Sequence, residues 1–441
     1  MSARPDFAVK IYQNPYLPVD GTQVHAIVGV EATTGAPARP AAEVIIVDTS
    51  ASMAGARLVE AQRAAKAAVD ALRADVDFAV VAGTRDAVMV YPDEVRLAPA
   101  TDRGKADAKK AISELSARGG TRIGRWLTLA GELFDGSSAH TVRHAVLLTD
   151  GQNEHEGRDE LDAALTACAG RFVCDCRGVG ADWNPAELRE IAVRLLGHFK
   201  TVTDPRNLTA DLTGMIGQAM GKAVSDVALR VWTPHGASVR FVKQVDPGLR
   251  DLTGERIERE SPVEGTATGD YPTGIWGTEK RHYHLCVSVP PGKPRQSMHA
   301  AQVSVVLPGS GDPPDGPRPE PLAEGMLVAE WTDDKARPTG RHPSVEHYSR
   351  QAEVSDSLGQ GLDAYKKGDD ETAAGRFRRA RELAVRNGDT GTTQRLDKVV
   401  VPETGEIRPR ADVDPAALLE LDTESTESTQ PPPEHVDEGE D

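Results

Sequence analysis

A chain of 441 residues, 39% hydrophobic and 27% charged, has material for two or three domains with closed cores. A net charge of −17 argues against nucleic acid or an anionic membrane surface as partner, and 4% aromatics argue against an aromatic-lined sugar or nucleobase site. No stretch reaches the roughly 18 apolar residues of a membrane helix, so membrane insertion is not expected.

The first residues, MSARPDFAVKIY, lack the apolar segment of a signal peptide. Cys168, Cys174, Cys176 and Cys286 form no CxxC pair, which disfavours a zinc ribbon. Cys174 and Cys176, two apart on an expected strand, read as buried free thiols. Together these features point to the cytoplasm.

Residues 7–12 and 23–33 alternate apolar and polar side chains on either side of the turn-rich NPYLPVDGT, and read as two antiparallel strands. The GAPARPA segment breaks that pattern and marks a domain crossing. From there strands alternate with helices. The sequence predicts a strand at 44–47, a helix at 57–73 and paired strands at 78–84 and 87–91. Helices follow at 105–118 and from Ile123 to Phe134, then a strand at 144–151. A helix at 161–168, a strand at 172–179, a helix at 185–195, a short strand at 198–202 and a helix at 207–222 complete the series. Such alternation implies a doubly wound, mainly parallel sheet covered on both faces.

Beyond residue 224 the helical period is lost. Strands are expected at 227–233, 238–245, 282–289, 301–307 and 326–331, a spacing that suits a β-sandwich. The two N-terminal strands are orphans unless they join it. The expected organisation is therefore sandwich strands in 1–40, an inserted α/β domain in 41–223 and the rest of the sandwich in 224–332. Helical periodicity returns at 344–398, where Leu358, Leu362 and Tyr365 share one face and Ala373, Phe377, Ala380 and Ala384 another. This resembles a single tetratricopeptide-type hairpin, which needs a surface to dock on. Residues 399–441 hold much of the acidic excess, with 13 acidic and 2 basic residues from 401 onward, and are expected to be a mostly disordered tail.

Three loops carry the chemistry: Asp48-Thr49-Ser50-Ala51-Ser52, Gly119-Gly120-Thr121 and Thr149-Asp150-Gly151. In an open parallel sheet, ligands bind beyond the carboxyl ends of the strands. Asp48 and Asp150 close two predicted strands there, and Thr121 opens a helix beside them. Two carboxylates and three hydroxyls converging on one point suit a hard cation, Mg²⁺ first and Mn²⁺ or Ca²⁺ as replacements. Simpler roles are available to the same residues: Asp48 and Ser50 as helix caps, Asp150-Gly151 as a turn. Asn153, Glu154 and His155 read as rim polarity, and the alternating His282 and His284 as structural.

The three loops, in this order, resemble a von Willebrand factor type A domain with a complete metal-ion-dependent adhesion site, over roughly residues 41–223. GADWNPAELREIA (180–192) is similar to prokaryotic members of that family, of bacterial cytoplasmic type. The resemblance implies that Ser50, Ser52 and Thr121 reach the metal directly, that Asp48 and Asp150 act partly through water, and that a partner protein's carboxylate completes the shell. It implies a metal-dependent adaptor and no enzyme. The alternative is an Mg²⁺-dependent hydrolase or phosphotransferase, but Ser50 stands where a haloacid-dehalogenase-type phosphatase has its second Asp. No GxxxxGK[ST] loop occurs either. In the tail, LDTESTEST offers Thr423, Thr426 and Thr429 as phospho-acceptors for a forkhead-associated domain, within a bacterial Ser/Thr kinase and phosphatase signalling system.

Overall fold

In the computed structural model, the structure describes residues 6–33, 40–136, 142–150, 153, 155–179, 185–202, 204–220, 224–261, 263–308, 320–337, 339–403, 406–410 and 413–424. Its centre is a sheet of parallel strands in the order Phe199–Val202, Val173–Val179, Val142–Thr149, Ala41–Asp48 and Val76–Gly83, with Ala87–Tyr91 antiparallel at one edge. Ala98–Pro99 also pairs with Val76–Gly83. Ala41–Asp48 is buried along its whole length, so both of its faces need cover. Ile45 and Val47 pack on helices Ala56–Ala71, Asp102–Ser113 and Leu208–Met220. Val44 and Ile46 pack on Ile123–Asp135, Arg158–Cys168 and Pro185–Arg194. Because neighbouring strands run parallel, Asp48 and Thr149 end at the same rim.

Two further sheets share one core. The first has the order Asp6–Gln13, Gln23–Thr33, Glu279–Ser288, Ser238–Asp246 and Arg250–Asp251. The second runs Ile257–Arg259, Ala267–Trp276, Val224–Thr233, Ser297–Val306, Ala323–Thr332 and Tyr16–Pro18. Val24, Ala26 and Val28 of the first meet Leu229, Val231 and Val303 of the second. Strand Ala267–Trp276 was not expected from the sequence. Pro272 and Gly274 within it sit where the pairing with Val224–Thr233 is irregular, and Gly274 adopts φ +80°.

The C-terminal helices also differ from the expected hairpin. Pro343–Lys366 and Asp370–Arg386 pack antiparallel, but a third helix, Thr390–Val399, joins their core. The segment read as a disordered tail departs from that expectation in its first half. Val400–Glu403 pairs with Glu406–Pro409, and Pro415–Glu424 is a helix. Ala417 and Leu421 enter the helical core, while Leu419 enters the core of the α/β domain. Asp422 accepts from Arg189 Nη2 at 2.8 Å, which fixes the helix to the domain edge. Thr423 is 3% exposed and its hydroxyl donates to Leu419 O at 2.9 Å. Thr426 and Thr429 lie outside the described residues. Among the described residues no helix is long and apolar enough to cross a membrane.

Candidate metal centre

The run EVIIVD is extended because four β-formers are buried between two helical layers, and the chain must leave the sheet once Asp48 reaches its rim. Thr49 N donates to Gly83 O at 2.8 Å, which ties the exit to the neighbouring strand. Ser50 N then turns back to Asp48 Oδ1 at 2.7 Å, a side-chain turn characteristic of Asp. The second carboxylate oxygen, Oδ2, accepts from Thr149 Oγ1 at 2.5 Å. Asp48 is fully buried, and burial lifts its carboxyl to about 6 despite the hydrogen bonds from Thr149 and Ser50 that favour the charged form.

Ser50 Oγ and Ser52 Oγ lie 2.9 Å apart, and Ser52 Oγ donates to Asp150 Oδ1 at 2.9 Å. Since the Ser52 proton goes to Asp150, Ser50 supplies the proton between the two hydroxyls. Asp150 Oδ2 accepts from Arg57 Nη1 at 2.7 Å. Both oxygens of both aspartates therefore already receive protein donors.

The third loop is brought in by backbone pairing: Arg118 N donates to Thr49 O at 2.7 Å and Ala51 N to Gly119 O at 3.1 Å. Gly119 turns at φ +78°, a conformation that L side chains rarely adopt. Gly120 lies so close to the His155 ring that a Cβ there would sit 2.3 Å from Nδ1. Thr121 follows, 4% exposed, with its hydroxyl making no hydrogen bond among the described residues. Its backbone is held by His155 N, which donates to Thr121 O at 3.2 Å.

The structure thus links Asp48, Ser50, Ser52 and Asp150 by direct hydrogen bonds and places the Thr121 loop against them through its backbone. Gly151 and Glu154 lie outside the described residues. Several contributors escaped the sequence reading. Thr149 was named only as part of its loop, and Arg57 only as the start of a helix. Asn153 and Glu156 cap the helix Ile123–Asp135: Asn153 Oδ1 accepts from Ile123 N at 3.0 Å and Glu156 Oε2 from Gly124 N at 2.8 Å. The alternation of carboxylate and hydroxyl is a visible signal for the DTSAS loop, whereas a cap donated from a distant loop leaves none. His282 and His284 separate in role: Tyr348 Oη bonds His282 Nδ1 at 2.9 Å, and His284 Nε2 bonds His25 Nδ1 at 3.1 Å.

The donor set fits a small hard cation. Two buried carboxylates and the neighbouring serine hydroxyls gather oxygen donors at one rim, the chemistry that Mg²⁺ takes. Among the described residues no three Asp, Glu, His or Cys side chains gather as a ligand cluster, so a cation here depends on hydroxyl oxygens.

Comparison with known proteins agrees with this architecture. The family described as von Willebrand factor type A domain matches residues 42–200. A solved von Willebrand factor type A protein from Catenulispora acidiphila is 43% identical over 97% of this chain and 98% of its own, with a TM-score of 0.91. The ArnB paralog VWA2 from Sulfolobus acidocaldarius, 16% identical, covers 97% of this chain and 100% of its own with a TM-score of 0.59, a likeness of fold. An uncharacterized Synechocystis protein is 28% identical over 52% of this chain, and the chain spans 53% of that relative's length. Human inter-alpha-trypsin inhibitor heavy chain H4 is 27% identical over 37% of this chain and 18% of its own. Likeness along nearly the whole chain, together with the match across the domain that bears the three loops, shows that the chain belongs to the von Willebrand factor type A family.

Proposed function

We propose that the protein is a metal-dependent binding module in which Mg²⁺, held by Asp48, Ser50, Ser52, Thr121 and Asp150, grips an acidic side chain of a partner protein. Domains of this family are commonly metal-dependent protein-interaction modules. The observation that carries the reading is the pair of serine hydroxyls 2.9 Å apart with the carboxylates placed behind them. Mn²⁺ or Ca²⁺ could replace Mg²⁺ in such an oxygen-only site. When bound, the ion would supply Lewis acidity toward a carboxylate oxygen.

The chain's own residues do the rest. Asp150 accepts the Ser52 hydrogen bond, so that a lone pair of the serine oxygen is free to turn toward the ion. Thr149 and Ser50 N fix the Asp48 carboxylate in one orientation. In this reading the paired sheets and the C-terminal helices hold the domain in place for its partner. The four cysteines, all free, suit a cytoplasmic setting.

The test is a pull-down from native lysate with and without EDTA, with Asp150→Ala as control. Proteins should co-purify in Mg²⁺ and be lost both with EDTA and with the variant. A forkhead-associated protein, kinase or phosphatase among them would support the signalling setting. The same set of proteins in every condition would overturn the metal-bridged reading.

A further inference from the structure

The central sheet has two edges, and they are finished differently. At one, Phe199–Val202 lies against helix Pro415–Glu424. At the other, Ala87–Tyr91 pairs with Val76–Gly83 on its inner side, and among the described residues no strand pairs with its outer side. Each residue of this strand is partly or wholly exposed, and Val88 is 52% exposed. The direction of its backbone groups follows from the neighbouring strands. Gly83 O accepts from Thr49 N at 2.8 Å, so the polar groups of Gly83 face the side of Ala41–Asp48. In an antiparallel pair, opposed residues turn their N–H and C=O either both toward each other or both away. Ala87, opposite Gly83, therefore turns its own outward, and with the two-residue period so does Met89. Beyond Met89 a bulge at Val90 breaks the period. The open edge is thus Ala87-Val88-Met89: two residues with outward donors and acceptors around one exposed valine.

We propose that this edge pairs with the same edge of a second copy of the chain, antiparallel about a dyad at Val88. In that register Ala87 of each copy exchanges two hydrogen bonds with Met89 of the other, and the two Val88 side chains meet at the close, non-hydrogen-bonded position. Charge favours a second copy over an arbitrary strand. The segment carries Arg85 before the strand and Asp93 after it, both exposed. Antiparallel self-pairing sets Arg85 of each copy opposite Tyr91 and diagonal to Asp93 of the other, whereas a parallel arrangement would align Arg85 with Arg85 and Asp93 with Asp93. Asp86, the acid beside Arg85, is already held by Arg125 Nη1 at 3.1 Å.

The pairing has a consequence for the assembly. A dyad normal to the sheet reverses its strands, so the rims at which Asp48 and Thr149 end face opposite ways in the two copies. The dimer is a two-ended body that can hold one partner at each end, whatever the chemistry of the grip. An edge so short, flanked by charges, gives a weak pair that forms with rising concentration. The net charge of −17 on each copy opposes association at long range, and salt relieves it.

The test is sedimentation of the full chain from about 5 µM to about 500 µM in roughly 0.15 M salt. The wild type should pass from monomer to dimer. Val88→Lys sets two like charges at the dyad and should weaken the dimer by about tenfold. Arg85→Asp and Asp93→Arg should each weaken it by about two- to fivefold, and the double variant should return to the wild-type constant. All these positions are exposed, and melting curves establish that each variant is folded. A wild type that stays monomeric throughout would leave the edge to a strand of another protein and overturn the proposal. A dimer indifferent to Val88→Lys would overturn it as well, by placing the interface elsewhere. A double variant no better than the single ones would overturn the antiparallel register.

Discussion

His144 is a cation held in the middle of a sheet. It is 3% exposed; its Nδ1 lies 3.0 and 2.8 Å from the two oxygens of Glu43, and its Nε2 lies 3.2 Å from Asp175 Oδ2. Burial opposes its charge, but the attraction of Glu43 and Asp175 prevails and lifts it to about 10. Burial would likewise raise Asp175, yet its bonds from His144 and His198 hold it well below the usual range. Glu43 is raised by burial, partly offset by His144. Because the folded His144 sits above the unfolded value of 6.5, its contribution is complete below about 6.5 and is lost as the pH climbs toward 10. Glu43 acts in the same direction from 4.5 upward, while the contribution of Asp175 is lost as the pH falls below 3.8. Urea denaturation between pH 5 and pH 9 should show wild-type stability declining with rising pH. His144→Asn should lower stability by about 3–5 kcal/mol at neutral pH, since it strands two buried carboxyls, and should flatten the profile. A flat wild-type profile would count against the charged triad. None of this was legible in the sequence, where Glu43 and His144 read as the polar ends of two apolar strands. They are opposite one another only because those strands are neighbours in the sheet. The site aspartates were legible for the opposite reason: Asp48 and Asp150 each end an apolar run, and strand ends in a parallel sheet meet at one rim whatever the order of the strands between them.

Helix Pro415–Glu424 shows what composition conceals at the scale of an element. It lies within an acidic, proline-containing stretch, where AALLELD stands out as an apolar patch but is too short to predict a helix by itself. Its order comes from docking. Leu419 packs into the α/β core, Ala417 and Leu421 pack into the helical core, and Asp422 faces both Arg189 at 2.8 Å and Lys366 at 3.4 Å. The helix is thus a latch between two bodies that otherwise have separate cores. Leu419→Asp would put a carboxylate among Leu188, Ile191 and their neighbours and should release it. Hydrogen exchange should then show residues 415–424 losing protection, with a local free energy reduced by at least about 2 kcal/mol, while Asp370–Arg386 stays protected. Unchanged protection of 415–424 would mean that the helix is held by something other than Leu419. Its release would also uncover Thr423, which is closed to a kinase while docked.

At the scale of the molecule, the α/β domain departs from and returns to the paired sheets at one place. Ala32, near the end of Gln23–Thr33, pairs with Glu279, and Val224, the first residue of the returning strand, pairs with Trp276. Residues 277–278 connect two consecutive strands, one in each of the paired sheets, so the outgoing and incoming chain ends flank the same connection. Phe7, paired with Ala32, lies 5.6 Å ring to ring from Trp276 and closes the core beneath it. The sequence reading expected this joint because two alternating strands stood before the α/β series without partners of their own. It had no means of seeing where the ends met, since the strand bearing Trp276 was left unassigned. Among the described residues, Ile275 reaches the α/β core across the joint, and Arg250 Nη2 donates to Val193 O at 2.6 Å. A chain from which residues 41–220 are excised, with 34–40 and 221–223 kept as the connection, should therefore fold by itself. We expect a β-rich circular dichroism spectrum and a cooperative melt, with stability lowered by a few kcal/mol for the apolar surface exposed at Ile275 and Leu419. Loss of cooperativity would mean that the paired sheets need the inserted domain in order to fold. The two bodies would then be one folding unit, and the single joint would be a feature of chain path without independence behind it.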